Sequence, residues 1–405
     1  MRLAYICGDP GVPVFGRKGC SIHVQEVVRA LRRLGVEVEL FAVKRGGEAP
    51  EDLREVRVHD LRLREVEERG AREAVLQEAN EEWRWQLERA GTFDVVYERY
   101  SLWSTFALEH ARRIGIPALL EVNAPLIEEQ AAHRGLVDPS AADRCARRGF
   151  AAATVLLAVS EEVGEYLQRF PESGDRVRVL PNGVDVTRFD EVLQRRNGRV
   201  AAGNKAGLTV GFVGTLKPWH GVDRLVEAFA MAALARPSLK LLIVGDGPER
   251  ERLEGHARAW GVDRVTIFTG AVEASAVPQW LGQMDIAVAP YPRLDRFYFS
   301  PLKVYEYMAA GLPVVASRIG QLERVMEHGV NGLLVEPGDK KALAAALVML
   351  ADHAGLRRGM GVRARATVEE NHTWASVAMK ILGLASRHDA ARGPEARGQL
   401  VGGEA

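Results

Sequence analysis

The chain has 405 residues, of which 47% are hydrophobic and 27% charged. This is the composition of a globular protein with apolar side chains for more than one core, and it excludes disorder over most of the length. Lys plus Arg equals Asp plus Glu at 54 each, so no overall field draws the molecule to nucleic acid and any anion site must be local.

Three separated cysteines, Cys7, Cys20 and Cys145, lack metal-ligand spacing, and buried thiols in a reducing, cytoplasmic setting are expected. The apolar run Leu3 to Cys7 is too short for a signal-peptide core, and no window offers ~20 uninterrupted apolar residues. Peripheral contact with the inner membrane face stays open.

Short β-rich runs alternate with longer stretches of helical period, the pattern of parallel strands joined by crossover helices. Arg2 to Cys7 predicts the first strand, followed by a Gly/Pro loop through Gly19. A helix is expected from Ser21, with Ile22, Val24, Val27, Val28, Leu31 and Leu34 at 3.6 spacing. Val36 to Val43 predicts the next strand, and the charge-dense run Leu61 to Ala90 a helix. Further strands are expected at Val95 to Tyr97, Ala118 to Val122 and Val155 to Val159. Within the charged run, a face including Trp83, Arg84 and Trp85 could meet a membrane, although alternating acids and bases also suit a solvated surface helix.

The alternation then restarts. Strands are expected at Leu208 to Val213, Leu239 to Val244, Val265 to Phe268, Ile286 to Ala289, Pro313 to Ala316 and Gly332 to Val335, with a helix at Val222 to Leu234. The predicted organisation is a first Rossmann-like domain over 1–192, a linker over 193–207 without apolar period, and a second Rossmann-like domain over 208–372. A last helical run, Trp374 to Leu384, lies within 373–386, and a polar, Gly-rich tail over 387–405 is expected to be disordered. In open α/β sheets ligands bind beyond the carboxyl ends of the strands, so two facing domains would form a cleft between them.

Four constellations could carry chemistry. In Phe297 to Pro313, Ser300 suits an N-cap and Pro301 a first helical position, so a helix should start there and end near Gly311. The amides of Leu302 and Lys303, the positive helix end and the Lys303 ammonium could hold a diphosphate, with Glu306 one turn on to accept ribose hydroxyls. An ordinary amphipathic helix would show the same features. The loop Gly211 to Gly221, with Gly214, Thr215, Lys217 and His220, could be a second phosphate clamp in which Lys217 and His220 donate, or simply a tight turn. The loop Gly8 to Ser21, including Gly19, could close over a substrate, or be inert; it does not match G-x-G-x-x-G followed by an acid. Fourth, Glu121-Val122-Asn123 with Glu128 and Glu129 ends a first-half strand, where polar groups could face a ligand or only a rim. Metalloprotease, zinc-ribbon, P-loop and α/β-hydrolase strings are absent.

With these residues in hand, the chain resembles a retaining glycosyltransferase of family 4, also described as glycosyl transferases group 1. The resemblance spans roughly residues 1–380. It rests on Leu180-Pro181-Asn182-Gly183-Val184-Asp185 with Phe189, Gly214 to Gly221, Val244-Gly245-Asp246-Gly247-Pro248, Phe268-Thr269-Gly270, Asp285-Ile286 with Pro290, Glu306 to Gly311, and Gly329 to Val335. It implies the α/β GT-B fold of two facing Rossmann-like domains with parallel sheets and an interdomain cleft. The acceptor would be on the first domain and the donor on the second, with the last helix crossing back to the first.

The resemblance also implies that Glu306 holds the donor ribose, that the amides at Leu302 and Lys303 touch the diphosphate, and that Gly270 to Val272 lie along the base. Two departures stand out. Tyr298 occupies the position of the family's first Glu, and Thr215 and His220 replace its phosphate-binding Arg and Lys, leaving Lys217 and Lys303 as replacements. Asn123 occupies the region where relatives place a His near the sugar.

The expected activity is transfer of a sugar from a nucleoside diphosphate to an acceptor hydroxyl with retention of configuration. The acceptor would be a sugar, a lipid-linked or a small molecule. No metal and no cofactor other than the donor substrate are expected, and no nucleic-acid partner. A nucleotide-sugar epimerase of the same architecture and a non-enzymatic nucleotide-binding protein are the alternatives.

Overall fold

Most strands of the chain are short, nearly continuous apolar runs, as strands covered on both faces require. In the computed structural model, which describes residues 1–133, 135–201 and 207–392, these strands form two all-parallel sheets. The chain divides into two compact units, one comprising Met1–Asn182 and the segment from Trp374, the other Gly183–Thr373.

The first unit holds β1 (Arg2–Cys7), β2 (Glu37–Ala42), β3 (Val58–Asp60), β4 (Val95–Arg99), β5 (Ala118–Val122), β6 (Val155–Ala158) and β7 (Val177–Val179), in the order β3-β2-β1-β4-β5-β6-β7. The strand order reverses between β1 and β4, the switch point of a doubly wound sheet. The strands β3 and β7 are not visible in the apolar pattern: each has three residues on a sheet edge, and both carry polar side chains.

The second unit holds β8 (Thr209–Val213), β9 (Lys240–Val244), β10 (Thr266–Phe268), β11 (Ile286–Ala289), β12 (Val314–Ser317) and β13 (Leu333–Val335), ordered β10-β9-β8-β11-β12-β13, with its switch point between β8 and β11. Alternate residues feed two cores. Val213, Val244, Ala287 and Val314 face one, together with the helix Leu302–Ala309. Val210, Phe212, Ile243 and Val288 face the other, with the helix Val222–Ala235.

Several expectations are corrected. Leu193–Ala201 is not linker but the end of a helix, Asp190–Ala201, and the second unit begins at Gly183; residues 202–206 lie outside the described residues. That segment is tied down by Arg365, which donates to Asp190 Oδ1 at 2.6 Å and to the Val186 carbonyl at 3.0 Å, a partner that a local reading cannot supply. The helix expected from Leu61 is Arg69–Arg89, because the Glu68 side chain caps it through the amides of Gly70 and Ala71. Trp83 and Trp85 do not share a face. Trp83 is fully buried and donates from Nε1 to the Arg62 carbonyl, whereas Trp85 is 54% exposed under the Arg89 guanidinium. The first helix starts at Gly19, not Ser21, and runs to Arg33. The last helix is Trp374–Arg392 and packs on helix Gly19–Arg33 within the first unit, so 387–392 is helical. The tail from residue 393 lies outside the described residues.

Helix Leu302–Ala309 packs against helix Ala354–Asn371, and a Cβ at Gly361 would overlap the Gly311 carbonyl oxygen. Gly361→Ala should therefore cost about 1–3 kcal/mol through overpacking. Gly355→Ala, in the same helix with open space around it, should be neutral or slightly stabilising. Urea unfolding of the two variants side by side checks the difference.

Candidate active site

The second sheet's switch point brings together the loop after β8 and the loop after β11. The β8 loop turns at Gly214, whose φ of +148° favours glycine and whose amide donates to the Val244 carbonyl at 2.9 Å. A Cβ there would lie 2.6 Å from Lys303 Nζ, so glycine is also what admits the ammonium. Lys303 Nζ lies 4.1 Å from the Phe212 ring centroid and 5.7 Å from that of Tyr291. It is buried and, among the described residues, has no hydrogen-bond partner. Burial brings its pKa down to about 7 against the opposing pull of Glu306.

The helix carrying Lys303 starts one residue later than expected. Pro301, not Ser300, is the N-cap residue at φ −77°, and no side chain caps this end. Ser300 instead places its hydroxyl 3.4 Å from that of Tyr305. The amides at Leu302 and Lys303 thus open an uncapped helix end beside a buried ammonium. The helix is tied down in its last turn. The Tyr307 hydroxyl accepts from the Val213 amide at 2.7 Å, and Arg365 donates to the Ala309 carbonyl at 2.7 Å.

His220 does not fill the expected role of phosphate donor. Its Nδ1 donates to the Thr215 carbonyl at 2.5 Å. Burial, then the charge of Lys303, brings its pKa down to about 3, so the ring is neutral and Nε2 can only accept. Lys217 lies beside it, with Nζ 5.6 Å from the Trp219 centroid.

Glu306 faces Arg188, whose Nη1 is 3.8 Å away and whose Nη2 donates to the Ala274 carbonyl at 2.6 Å. Nothing local marks Arg188: it stands beside Phe189, but its partner Glu306 lies 118 positions further along the chain. Gly270, at φ +76°, accepts from the Gly245 amide at 3.1 Å, and Val272 packs on the core. Tyr298 stacks tilted on Phe299, centroids 4.5 Å apart.

In the first unit, Gly19 opens helix Gly19–Arg33, and the loop before it is anchored. Val12, Val14 and Phe15 are buried, and Gln25 Nε2 donates to the carbonyls of Val14 and Gly16. Asn123 Nδ2 donates to Glu121 Oε1. Glu121 also accepts from His23 Nε2 at 2.9 Å, from the Tyr97 hydroxyl and from Arg99 Nη1 at 3.3 Å. These three partners come from distant segments and carry no local motif. Glu128 pairs with Arg169 at 2.7 Å. No group of described residues could hold a metal ion, and no described helix is long and apolar enough to cross a membrane.

Two all-parallel Rossmann-like units, the second with a cationic helix start at its switch point, have the architecture of the GT-B fold. Solved structures of similar fold include sucrose-phosphate synthase from Thermosynechococcus elongatus, with a TM-score of 0.73, 22% identity and coverage of 96% of this chain and 99% of that one. Another is the Anabaena protein HepE in complex with UDP and glucose, with a TM-score of 0.70, 18% identity and coverage of 95% and 99%. The model of Glycosyltransferase Family 4 matches residues 17–188, and that of Glycosyl transferases group 1 matches residues 207–353. The chain belongs to this glycosyltransferase family. Curated relatives include D-inositol 3-phosphate glycosyltransferases of Pseudarthrobacter chlorophenolicus, 26% identical over 89% of this chain and 88% of theirs, and of Acidothermus cellulolyticus, 28% identical over 93% and 86%.

Lys303 gives this site a pH signature. Between about pH 7 and its ordinary value of 10.5 the folded chain holds fewer protons on Lys303 than the unfolded chain, so stability from this group rises with pH across that window. Lys303→Met should have a higher Tm than the parent near about pH 6, with the gap narrowing as pH rises through the window. Thermal unfolding of both without nucleotide, over a pH series, measures this.

Proposed function

We propose that this glycosyltransferase moves a sugar from a nucleoside diphosphate to an acceptor hydroxyl with retention of anomeric configuration. The observation that carries the reading is the buried Lys303 ammonium, short of a hydrogen-bond partner, beside an uncapped helix start at a switch point. An anion with several acceptor oxygens supplies what both groups lack. Glu306, one turn further on and 3.8 Å from Arg188, suits the two hydroxyls of a ribose. The complex of UDP and glucose with HepE, a chain of similar fold, supports the same class of donor here.

Departure of the nucleoside diphosphate leaves positive charge growing on the sugar and negative charge on the phosphate. Lys303, Lys217 and the helix amides stabilise that phosphate, each donor being worth about a hundredfold to a thousandfold in rate. In this reading the cationic duty falls on these groups with no metal, and the donor is a substrate, so no cofactor is assigned. As the C1–O bond to the phosphate breaks, the acceptor oxygen bonds C1 on the face the phosphate leaves and gives its proton to that phosphate, which yields retention. Asn123, at the end of β5, belongs to the substrate side of the first unit. The protein works in the cytoplasm. Acceptors to assay first are phosphorylated cyclitols, after the names of the curated relatives, followed by sugars and lipid-linked sugars.

A thermal-shift panel of uridine, guanosine and thymidine diphosphate sugars should show one base raising Tm by several degrees. With that donor, Glu306→Ala should raise donor KM, and Lys303→Ala should lower kcat by about a hundredfold. Parental kcat/KM in both variants would remove the assigned site. Turnover of the donor sugar to its epimer without any acceptor would make the enzyme an epimerase instead.

A further inference from the structure

Residues in register on adjacent parallel strands share a face, and this places a polar row at the carboxyl end of the first sheet. Cys7, Arg99 and Glu121 are paired across β1, β4 and β5, and Tyr5 and Tyr97 are paired one step behind them. Glu121 is 4% exposed. Burial alone would raise its pKa, but His23, Arg99 and Tyr97 outweigh it and bring the carboxyl down to about 2. It is therefore ionised at every working pH and can only accept hydrogen bonds.

That fixes the amide of Asn123. Its nitrogen must face Glu121, because two acceptor oxygens cannot meet there, and its Oδ1 is then the oxygen left over. Asn123 is only partly buried, just beyond β5, and no described residue donates to Oδ1. A buried, ionised carboxylate with four donors is poor evidence for stability alone, since an apolar replacement of such a group is often as stable. Its orienting effect on Asn123 is the more specific consequence.

We infer that Glu121 is a positioning residue for sugar recognition: it locks the Asn123 amide so that Oδ1 is presented at the end of β5 to accept a hydrogen bond from a hydroxyl of a bound sugar. The inference rests on the reading of Asn123 as a substrate-side residue. The sugar is either the transferred one or the acceptor, and kinetics with the full chain separates the two. Asn123→Ala should lower kcat/KM for transfer by about tenfold to a hundredfold with little change in Tm. A matching fall in acceptor-free hydrolysis of the donor marks the transferred sugar, whereas a rise confined to acceptor KM marks the acceptor.

Glu121→Gln offers an N–H of its own, which lets the amide turn over, and should give a similar loss. In the Asn123→Ala background it should add less than about twofold, because coupled residues are not additive. Asn123→Asp keeps an outward oxygen but loses the donor, and leaves the buried carboxylate untouched should Glu121→Gln fail to fold. Its activity should be as low as that of Asn123→Ala near about pH 8 and recover relative to the parent as pH falls. The new carboxyl, its pKa raised by Glu121, then regains a proton to donate. Parental kinetics in Asn123→Ala would overturn the substrate-side reading and the inference with it. Full additivity of Glu121→Gln with Asn123→Ala, or parental activity of Asn123→Asp at all pH values, would overturn the positioning role alone.

Discussion

The second unit is organised around the meeting of Lys303 with the end of β8. An ammonium is brought over the face of Phe212 at 4.1 Å, through a gap that exists only because Gly214 has no side chain. The aromatic faces of Phe212 and Tyr291 give the charge partial compensation and no hydrogen bond. Much of the surrounding structure serves that placement. Tyr307 ties the helix to β8, Arg365 satisfies the Ala309 carbonyl at its end, and Gly361 allows the neighbouring helix to close on Gly311. His220 is kept neutral by burial first and by the same charge second.

The first unit handles a buried charge in the opposite way. Glu121 has four donors arranged around it and is held ionised, while Lys303 is left short of a partner and is pushed toward neutrality. A satisfied buried charge orients its neighbours; an unsatisfied one favours a ligand that completes it. Glu121 stands near the carboxyl end of β5, next to the strand at which the first sheet's order reverses, and Lys303 on the helix that follows β11, at the second sheet's reversal.

Much of this could be read along the chain, and the failures have definite causes. The helix from Leu302 and its end before Gly311 were legible from Pro301, the apolar period and the glycine. The cap was misassigned because Ser300 turns to the Tyr305 hydroxyl, a choice made by packing. Leu193–Ala201 looked like linker because its helix has weak apolar period and is tied down by Arg365, far along the chain. His220 looked like a phosphate donor because its burial and its bond to Thr215 are not features of composition.

The sequence by itself determined most of the two series of parallel strands, the glycine at position 214 and the cationic helix start with Glu306 one turn on, because periodicity and turn chemistry act over a few neighbouring residues. Only the tertiary structure decided what those groups meet. His23 and Glu121 lie 98 positions apart, and Val213 and Tyr307 lie 94 apart, and each pair touches because the sheet order brings separate strands and helices together. Charge states followed from those contacts. Burial and long-range partners, which no local pattern encodes, hold Glu121 ionised, keep His220 neutral and leave Lys303 poised.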